Sequence, residues 1–280
     1  MFIYATLIVL SIYLLKAFRW KILMHGQNIH YSFKDSFLSF TSSNFIAFIT
    51  PGRIGEFAKV FYLKEDMQIP FSKSIPNVIT DRLFDVYSLL FWGLSGFIYM
   101  KLNTGSLTLL IIILTALLPL LFFIPKIYNL TFIVISKVPF VSGIVSKRGQ
   151  SIENMRNEFQ KLINMRLVFA LCISAISYFV LFLAAYFLSR SVNIELKFAE
   201  IISIVSVANI LSFLPITVSG LGTREAVFIF FLSKLQYSTE QALLFSTVFF
   251  ACFYIVGGLF GYLCFMAKPV NIGKLKREIK

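Results

Sequence analysis

Three short stretches carry charge inside otherwise apolar sequence. The first, "TPGRIGEFAK", sets Pro51, Gly52, Arg53, Gly55 and Glu56 at the end of the uncharged run Ser36–Gly52. The second, "SGLGTRE", follows Pro215 with Gly220, Gly222, Arg224 and Glu225 at the end of the equally apolar Ile201–Thr223. The third, "DRLFD", places Asp81, Arg82 and Asp85 within Ile75–Met100. A guanidinium matches a phosphate with two parallel hydrogen bonds, so Arg53, Arg82 and Arg224 suit a phosphate-bearing group. Glu56, Asp85 and Glu225 can neutralise them when no ligand is bound, and Arg82 lies three residues before Asp85, a spacing that pairs along a helix. These six residues form the expected head-group site. The bland alternatives are that the charges only lock a bundle together, or that Arg53 and Glu56 sit in an ordinary surface loop.

The breaks beside the charges belong to the same chemistry. Pro51, Gly52, Gly55, Pro215, Gly220 and Gly222 interrupt helices, and a helix that restarts within a membrane points free N–H groups and its positive end at an anion. Thr50 and Thr223 are the expected caps of the restarted helices, with Pro51 in a first turn. Broken helices at membrane depth are tolerated only where protein or a water-filled cavity covers them.

The elements positioning these residues are membrane helices. The chain of 280 residues is 58% hydrophobic and 14% charged, with a mean hydropathy of +0.82, an integral-membrane composition. Leu102–Pro125, Leu167–Ser189 and Gln241–Ala267 are each long enough to cross ~30 Å of hydrocarbon. Phe2–Leu15 spans if Lys16 and Arg19 snorkel, and Ile75–Met100 spans only by carrying Asp81, Arg82 and Asp85 inward. No basic region precedes the first apolar run, so it reads as a retained helix and not a cleaved signal.

Composition also excludes chemistries. The net charge of +13 is spread over loops between apolar runs, which fits positive-inside topology and not nucleic-acid binding. His25 and His30 are the only histidines, and no HExxH motif is present, arguing against an intramembrane protease. Cys172, Cys252 and Cys264 fall inside apolar runs and read as core residues. No metal or cofactor is expected.

Pro51 and Pro215 are 164 residues apart, as are Pro76 and Glu240, and nearly the same offset relates Phe2 to Leu167, the pattern of an internal duplication. Seven Lys and Arg fall in Lys126–Arg166 and five in Lys268–Lys280, so both regions are expected in the cytoplasm, the C-terminus included. Keeping Lys16–Lys34 and Lys59–Lys73 inside as well requires Ser36–Tyr62 and Ile201–Leu232 to dip and return. The expected fold is therefore an all-α polytopic membrane protein with about five full transmembrane helices and two re-entrant hairpins in an inverted repeat. It forms one membrane domain, 1–280. Residues 1–125 make repeat one with a linking helix, 126–166 a basic loop, and 167–280 repeat two with a basic tail. In that loop Gln150–Met165 is amphipathic, with Ile152, Met155, Phe159, Leu162 and Ile163 on one face, as an interfacial helix or one packed on the bundle.

"RW" at Arg19–Trp20, "PGRIGEFAKVFYL", "DRLFD" and "PITVSGLGTREAVFIFFL" together resemble the lysylphosphatidylglycerol synthase transmembrane region family of flippase-like proteins. Matched positions are Pro51, Gly52, Arg53, Gly55, Glu56, Arg82, Pro215, Gly220, Gly222, Arg224 and Glu225. The resemblance implies translocation or handling of a phosphate-bearing lipid across the cytoplasmic membrane, without the soluble aminoacyl-transferase part of bifunctional members and thus without synthase activity. Expected partners are membrane lipids and possible lipid-modifying enzymes. Two other readings stay open: a membrane glycosyltransferase using a polyprenyl-phosphate sugar, with Asp81 or Asp85 as base, and a non-transporting subunit of a lipid-modifying enzyme.

Overall fold

The computed structural model describes residues 1–50, 52–99, 150–213, 217 and 219–270. Among these the fold is all-α. Helix α1 (Phe2–Gly26) is followed by α2 (Phe33–Phe48), a 3-10 turn (Ile54–Phe57), α3 (Ala58–Met67) and α4 (Phe71–Tyr99). After the undescribed stretch come α5 (Gln150–Leu162), α6 (Met165–Ser191), α7 (Phe198–Phe213), α8 (Thr223–Lys234), α9 (Thr239–Phe250), a π-helical turn (Ala251–Val256) and α10 (Gly257–Ala267).

Local chemistry sets the helix starts. Ser32 caps α2 by accepting the Asp35 N–H at 3.0 Å, and Asp35 itself suits the positive end of that helix. Ser238 and Gln241 form a reciprocal capping box at α9, with bonds of 3.2 and 2.9 Å. Asn164 caps α6 by accepting the Arg166 N–H at 2.8 Å.

Three helices are long and apolar enough to cross a membrane among the described residues: Phe2–Gly26, Met165–Ser191 and the continuous Thr239–Ala267. The expected five spanning helices with two re-entrant hairpins in an inverted repeat is thus corrected. Residues 102–125 lie outside the described part. The 29-residue α4 has the length, but its buried Asp81 and Asp85 set it apart from the apolar spans. Ser36–Tyr62 and Ile201–Leu232 are each divided between short helices, of which α2 and α7 have 16 residues, about 24 Å at 1.5 Å per residue. For the first of these segments the physical reason lies in the charge count: Lys16, Arg19 and Lys59 read as loop charges that must stay in the cytoplasm, yet Arg19 and Lys59 are 0% exposed and Lys16 is ion-paired. Residues held in internal pairs do not report on which side a loop lies.

α1 and α6 lie side by side, antiparallel, as contacts of Lys16 with Tyr178, Arg19 with Ser174 and Arg166 with His25 require. Their outer faces carry Leu7, Leu14, Phe18, Val168, Phe169 and Ile176, all exposed and at helical spacing, as lipid-facing positions must be. α4 packs on α7, and α2 on α10. The second contact depends on Gly261, where a Cβ would lie 2.9 Å from Phe45 Cβ and 3.0 Å from the Thr41 carbonyl oxygen; small residues let membrane helices approach closely. The amphipathic α5 packs on the bundle through buried Met155, Phe159 and Leu162 against α4, while Ile163 falls beyond its end and is exposed. Cys252 and Cys264 are buried as expected, whereas Cys172 is exposed.

Candidate functional site

The charged residues converge where α1, α3, α4 and the 3-10 turn meet. Arg19 does not snorkel to an interface. Its Nε donates to Asp81 Oδ1 at 2.8 Å, its Nη1 to Asp85 Oδ1 at 2.7 Å and to Ser174 Oγ at 2.9 Å, and its Nη2 to the Asp81 carbonyl at 3.1 Å. Lys16, one turn earlier on the same face, donates to Asp85 Oδ1 at 3.0 Å and to the Tyr178 hydroxyl at 3.3 Å. From α3, Lys59 donates to Asp81 Oδ2 at 2.6 Å, stands 3.5 Å from Glu56 Oε2, and lies 4.4 Å from the centre of the Phe40 ring.

Glu56 is 0% exposed and forms ion pairs with Arg82, Lys59 and, at 3.2 Å, Arg53 Nε. Arg82 also reaches Asp85 Oδ2 at 3.1 Å, which is the pair expected from their spacing. Arg53 Nη2 donates to Asn44 Oδ1 at 3.1 Å, and its guanidinium lies over Phe48 and Phe213, 5.4 and 5.6 Å from their centres.

The backbone around the break differs from the expected capping. Thr50 ends α2 by donating to the Ile46 carbonyl and accepts the Gly55 N–H at 2.8 Å, while Arg53, at φ +56°, precedes the 3-10 turn. A non-glycine residue in the left-handed region costs about 1–2 kcal/mol, so the surrounding contacts hold Arg53 in place. Gly55 lies against α2, where a Cβ would come within 2.6 Å of Ala47 N. Pro51 and Pro215 lie outside the described residues. In the second half Gly222, at φ +85°, precedes α8, and Glu225 rather than Thr223 performs the capping by accepting the Gly222 N–H at 2.6 Å.

Arg53, Glu56, Arg82 and Asp85 therefore share one network. Arg224 and Glu225 do not join it: they pair with each other at 3.0 Å, and Ser246 donates to Glu225 at 3.1 Å. Arg224 is 1% exposed and lies over Tyr254, Phe250 and Phe249 at 4.7, 5.1 and 5.9 Å. Its Nε and Nη1 have no hydrogen-bond partner, and neither do Arg82 Nε and Nη1. The Phe48 and Tyr254 rings, 5.1 Å apart, stand between the two arginine sites.

A cavity of roughly 70 Å³ adjoins the network, bordered by Tyr13, Lys16, Asn44, Arg53, Asn209 and Tyr254 together with apolar side chains. Sites enclosing a whole drug-sized ligand measure ~300–1,000 Å³, so this space suits a phosphate-sized group and not an entire lipid. Of the network only Lys16 and Arg53 border this cavity; as a whole the network counts five basic side chains (Lys16, Arg19, Arg53, Lys59, Arg82) against three carboxylates (Glu56, Asp81, Asp85), a formal excess of two positive charges. Both carboxylates considered as a glycosyltransfer base are committed elsewhere: Asp81 to Arg19 and Lys59, Asp85 to Arg19, Lys16 and Arg82. Among the described residues no cluster of metal-ligating side chains occurs.

Sequence reasoning missed Lys16 and Lys59 as members of the network and assigned Arg19 to the interface. The available signals were spacing: Lys16 and Arg19 are one turn apart at the end of an apolar run, and Lys59 follows Glu56 by three. Asn44, Asn209 and the two tyrosines carried no signal beyond being polar in apolar sequence.

No solved structure matches the chain. It is similar to a UPF0104 membrane protein of Methanocaldococcus jannaschii, 26% identical over 278 residues that cover 92% of this chain and 82% of that protein. The family model described as the lysylphosphatidylglycerol synthase TM region matches residues 1–261. What matches is a transporter-like membrane region and not a transferase domain, and with that extent of agreement the chain belongs to this family of multi-pass, flippase-like membrane proteins.

Proposed function

We propose that the protein translocates or handles a lipid whose head group carries a phosphate, held at the cavity beside Lys16 and Arg53. The observation supporting this is the formal excess of two positive charges in a network of eight ionisable side chains, five of them buried. Uncompensated charge in a low-dielectric interior is costly, and the cost falls when an anion supplies the missing partners. A phosphate offers acceptor oxygens and up to two negative charges. Lys16 and Arg53 border the cavity, and Arg53 brings a planar fork to it. The small size of the cavity implies that only the phosphate enters, with the acyl chains remaining in lipid.

Arg224 and Glu225 form a second station behind Tyr254, with two further unpartnered guanidinium nitrogens. In this reading the head group passes between the stations when the Phe48 and Tyr254 rings part. The protein resides in the cytoplasmic membrane with Lys268–Lys280 inside, an orientation resting on the five basic residues of that tail.

One alternative has its own support. Every carboxylate in the network is ion-paired, as expected of a charge lock that only fixes helix packing. Translocation of head-group-labelled lipid in proteoliposomes, measured beside thermal stability in detergent, separates the two. Arg53→Lys keeps the charge and loses the fork, so translocation should drop at least tenfold with stability retained. Unchanged translocation in both Arg53→Lys and Arg53→Ala would exclude Arg53 from a transport site and favour the lock.

A further inference from the structure

A second concavity lies away from the central network, on the outer side where the C-terminal end of α1 meets the N-terminal end of α6. It encloses roughly 310 Å³ and is lined by Phe18, Lys21, Ile22, His25, Arg166 and Phe169, none of them acidic. The spacing 18, 21, 22 and 25 puts four of these on one face of α1, and Arg166 and Phe169 stand one turn apart on α6.

The groove is graded along its length. Because the helices are antiparallel, His25 and Arg166 meet at one end, where the Arg166 guanidinium donates to the His25 carbonyl. Phe18 lies seven residues further along α1, roughly 10 Å deeper, and Phe169 lies three residues along α6. Both phenylalanines are exposed, at 46% and 60%. One end thus presents cations and ring N–H donors, together with the positive terminus of the 27-residue α6; the other presents open aromatic surface on two membrane-spanning helices.

We propose that this groove holds an anionic phospholipid of the surrounding bilayer. Its phosphate lies among Lys21, His25 and Arg166, and its acyl chains lie along Phe18, Ile22 and Phe169. The charge grading selects a lipid over a free anion, since a free anion uses only one end, and selects an anionic head group over a zwitterionic one because the lining offers cations with no carboxylate. The site is independent of the central cavity and holds whether or not the protein translocates lipid.

A photoreactive benzoylphenylalanine in place of Phe169 reports locally on what occupies the groove. The full chain is reconstituted into vesicles of equal parts phosphatidylglycerol and phosphatidylcholine, irradiated, and its lipid adducts are weighed by mass spectrometry. A fixed cation near the surface is worth about 1 kcal/mol toward an anionic lipid, roughly fivefold, so Lys21 and Arg166 together predict a preference for phosphatidylglycerol on the order of twentyfold. Lys21→Gln with Arg166→Gln should bring the ratio near one. Either change alone should lower it about fivefold, which keeps the test intact if the double variant fails to fold. The same probe at Leu244, exposed on α9, should show no such preference. Equal adducts at position 169, a preference that survives the substitutions, or an equal preference at Leu244 would each overturn the proposal.

Discussion

Replacing Arg19 by Met and, separately, Arg82 by Met tests whether the buried network is organised as its contacts suggest. Arg19 uses all three guanidinium nitrogens on Asp81, Asp85 and Ser174 within 3.1 Å. Removing it leaves Asp81 with Lys59, and Asp85 with Lys16 and Arg82, while emptying the space between α1 and α4. Losing one partner of a buried ion pair typically costs about 3–5 kcal/mol; at ~2–4 °C per kcal/mol for a chain of this size class, Arg19→Met should lower the detergent melting temperature by roughly 6–20 °C. Arg82 is different. Glu56 keeps Arg53 and Lys59 without it, Asp85 keeps Arg19 and Lys16, and Arg82 Nε and Nη1 already lack acceptors. Arg82→Met also lowers the excess positive charge, so its cost should be about 1 kcal/mol or less, a few degrees at most. The assay is thermal unfolding of both variants at one scan rate. Pairing Arg19→Met with Asp85→Asn should recover part of the loss. Equal losses for the two methionine variants, or no loss in Arg19→Met, would refute the idea that Arg19 is the structural member and Arg82 the available one.

Three further outcomes are expected. Lys268 ties α10 to the start of α2 and the end of α3 through Asp35 at 2.6 Å and Asp66 at 2.7 Å. The hydrogen bond from Lys268, then that from Ser32, hold the Asp35 carboxyl below its usual range. Burial opposes the charge on Lys268, but its bonds to Asp35, Asp66 and Tyr31 hold its pKa above the ordinary lysine value. The tie is thus fully present between the ordinary carboxylate and lysine values of ~4 and ~10.4. It is lost as pH falls through the depressed Asp35 value, or rises through the elevated Lys268 value; hydrogen exchange at the start of α2 should rise below about pH 4 and, in Lys268→Met, be raised at neutral pH. Gly55→Ala drives a Cβ into the Ile46–Ala47 backbone and should cost ~1–3 kcal/mol, the usual range for overpacking, read as a lower melting temperature. Arg224→Met places a side chain of similar length inside the cage of Phe249, Phe250 and Tyr254, so melting should change little while proteoliposome translocation falls.

How much of this was legible in the sequence differs from residue to residue. The apolar runs at Leu167–Ser189 and Gln241–Ala267 identified two spanning helices to within a few residues, because length and hydropathy are local properties. The Arg82–Asp85 pair was readable for the same reason, as helical spacing sets it. The partner of Arg19 was not. Arg19 and Asp81 are 62 residues apart, and a basic residue after an apolar run has two solutions, an interface or a buried carboxylate, that only tertiary packing decides. That ambiguity carries into the topology, since treating Lys16, Arg19 and Lys59 as loop charges is what makes the first segment, Ser36–Tyr62, read as a re-entrant hairpin. Arg53 and Arg224 are assigned to one expected site by their matching Pro/Gly breaks, but such a motif says nothing of the Phe48 and Tyr254 rings that separate them.

The π-helical turn at Ala251–Val256 interrupts the spanning helix Thr239–Ala267. An inserted residue offsets the angular phase of a helix by about 100°, so α9 and α10 are two segments of one rod with different azimuths. α9 turns Phe245 and Phe249 toward Phe228 on α8, while α10 turns Gly257 and Gly261 toward Tyr13 and α2. A regular α-helix of the same sequence could satisfy one of these seams but not both. The surplus residue acts as a rotational offset between the two ends of the rod, and Tyr254, within the offset, has its ring set by that twist. Were the turn to migrate along the rod by one position, the residues it crosses would swing around the axis while the rod's ends stayed seated, which makes the azimuth of Tyr254 adjustable without sliding either seam.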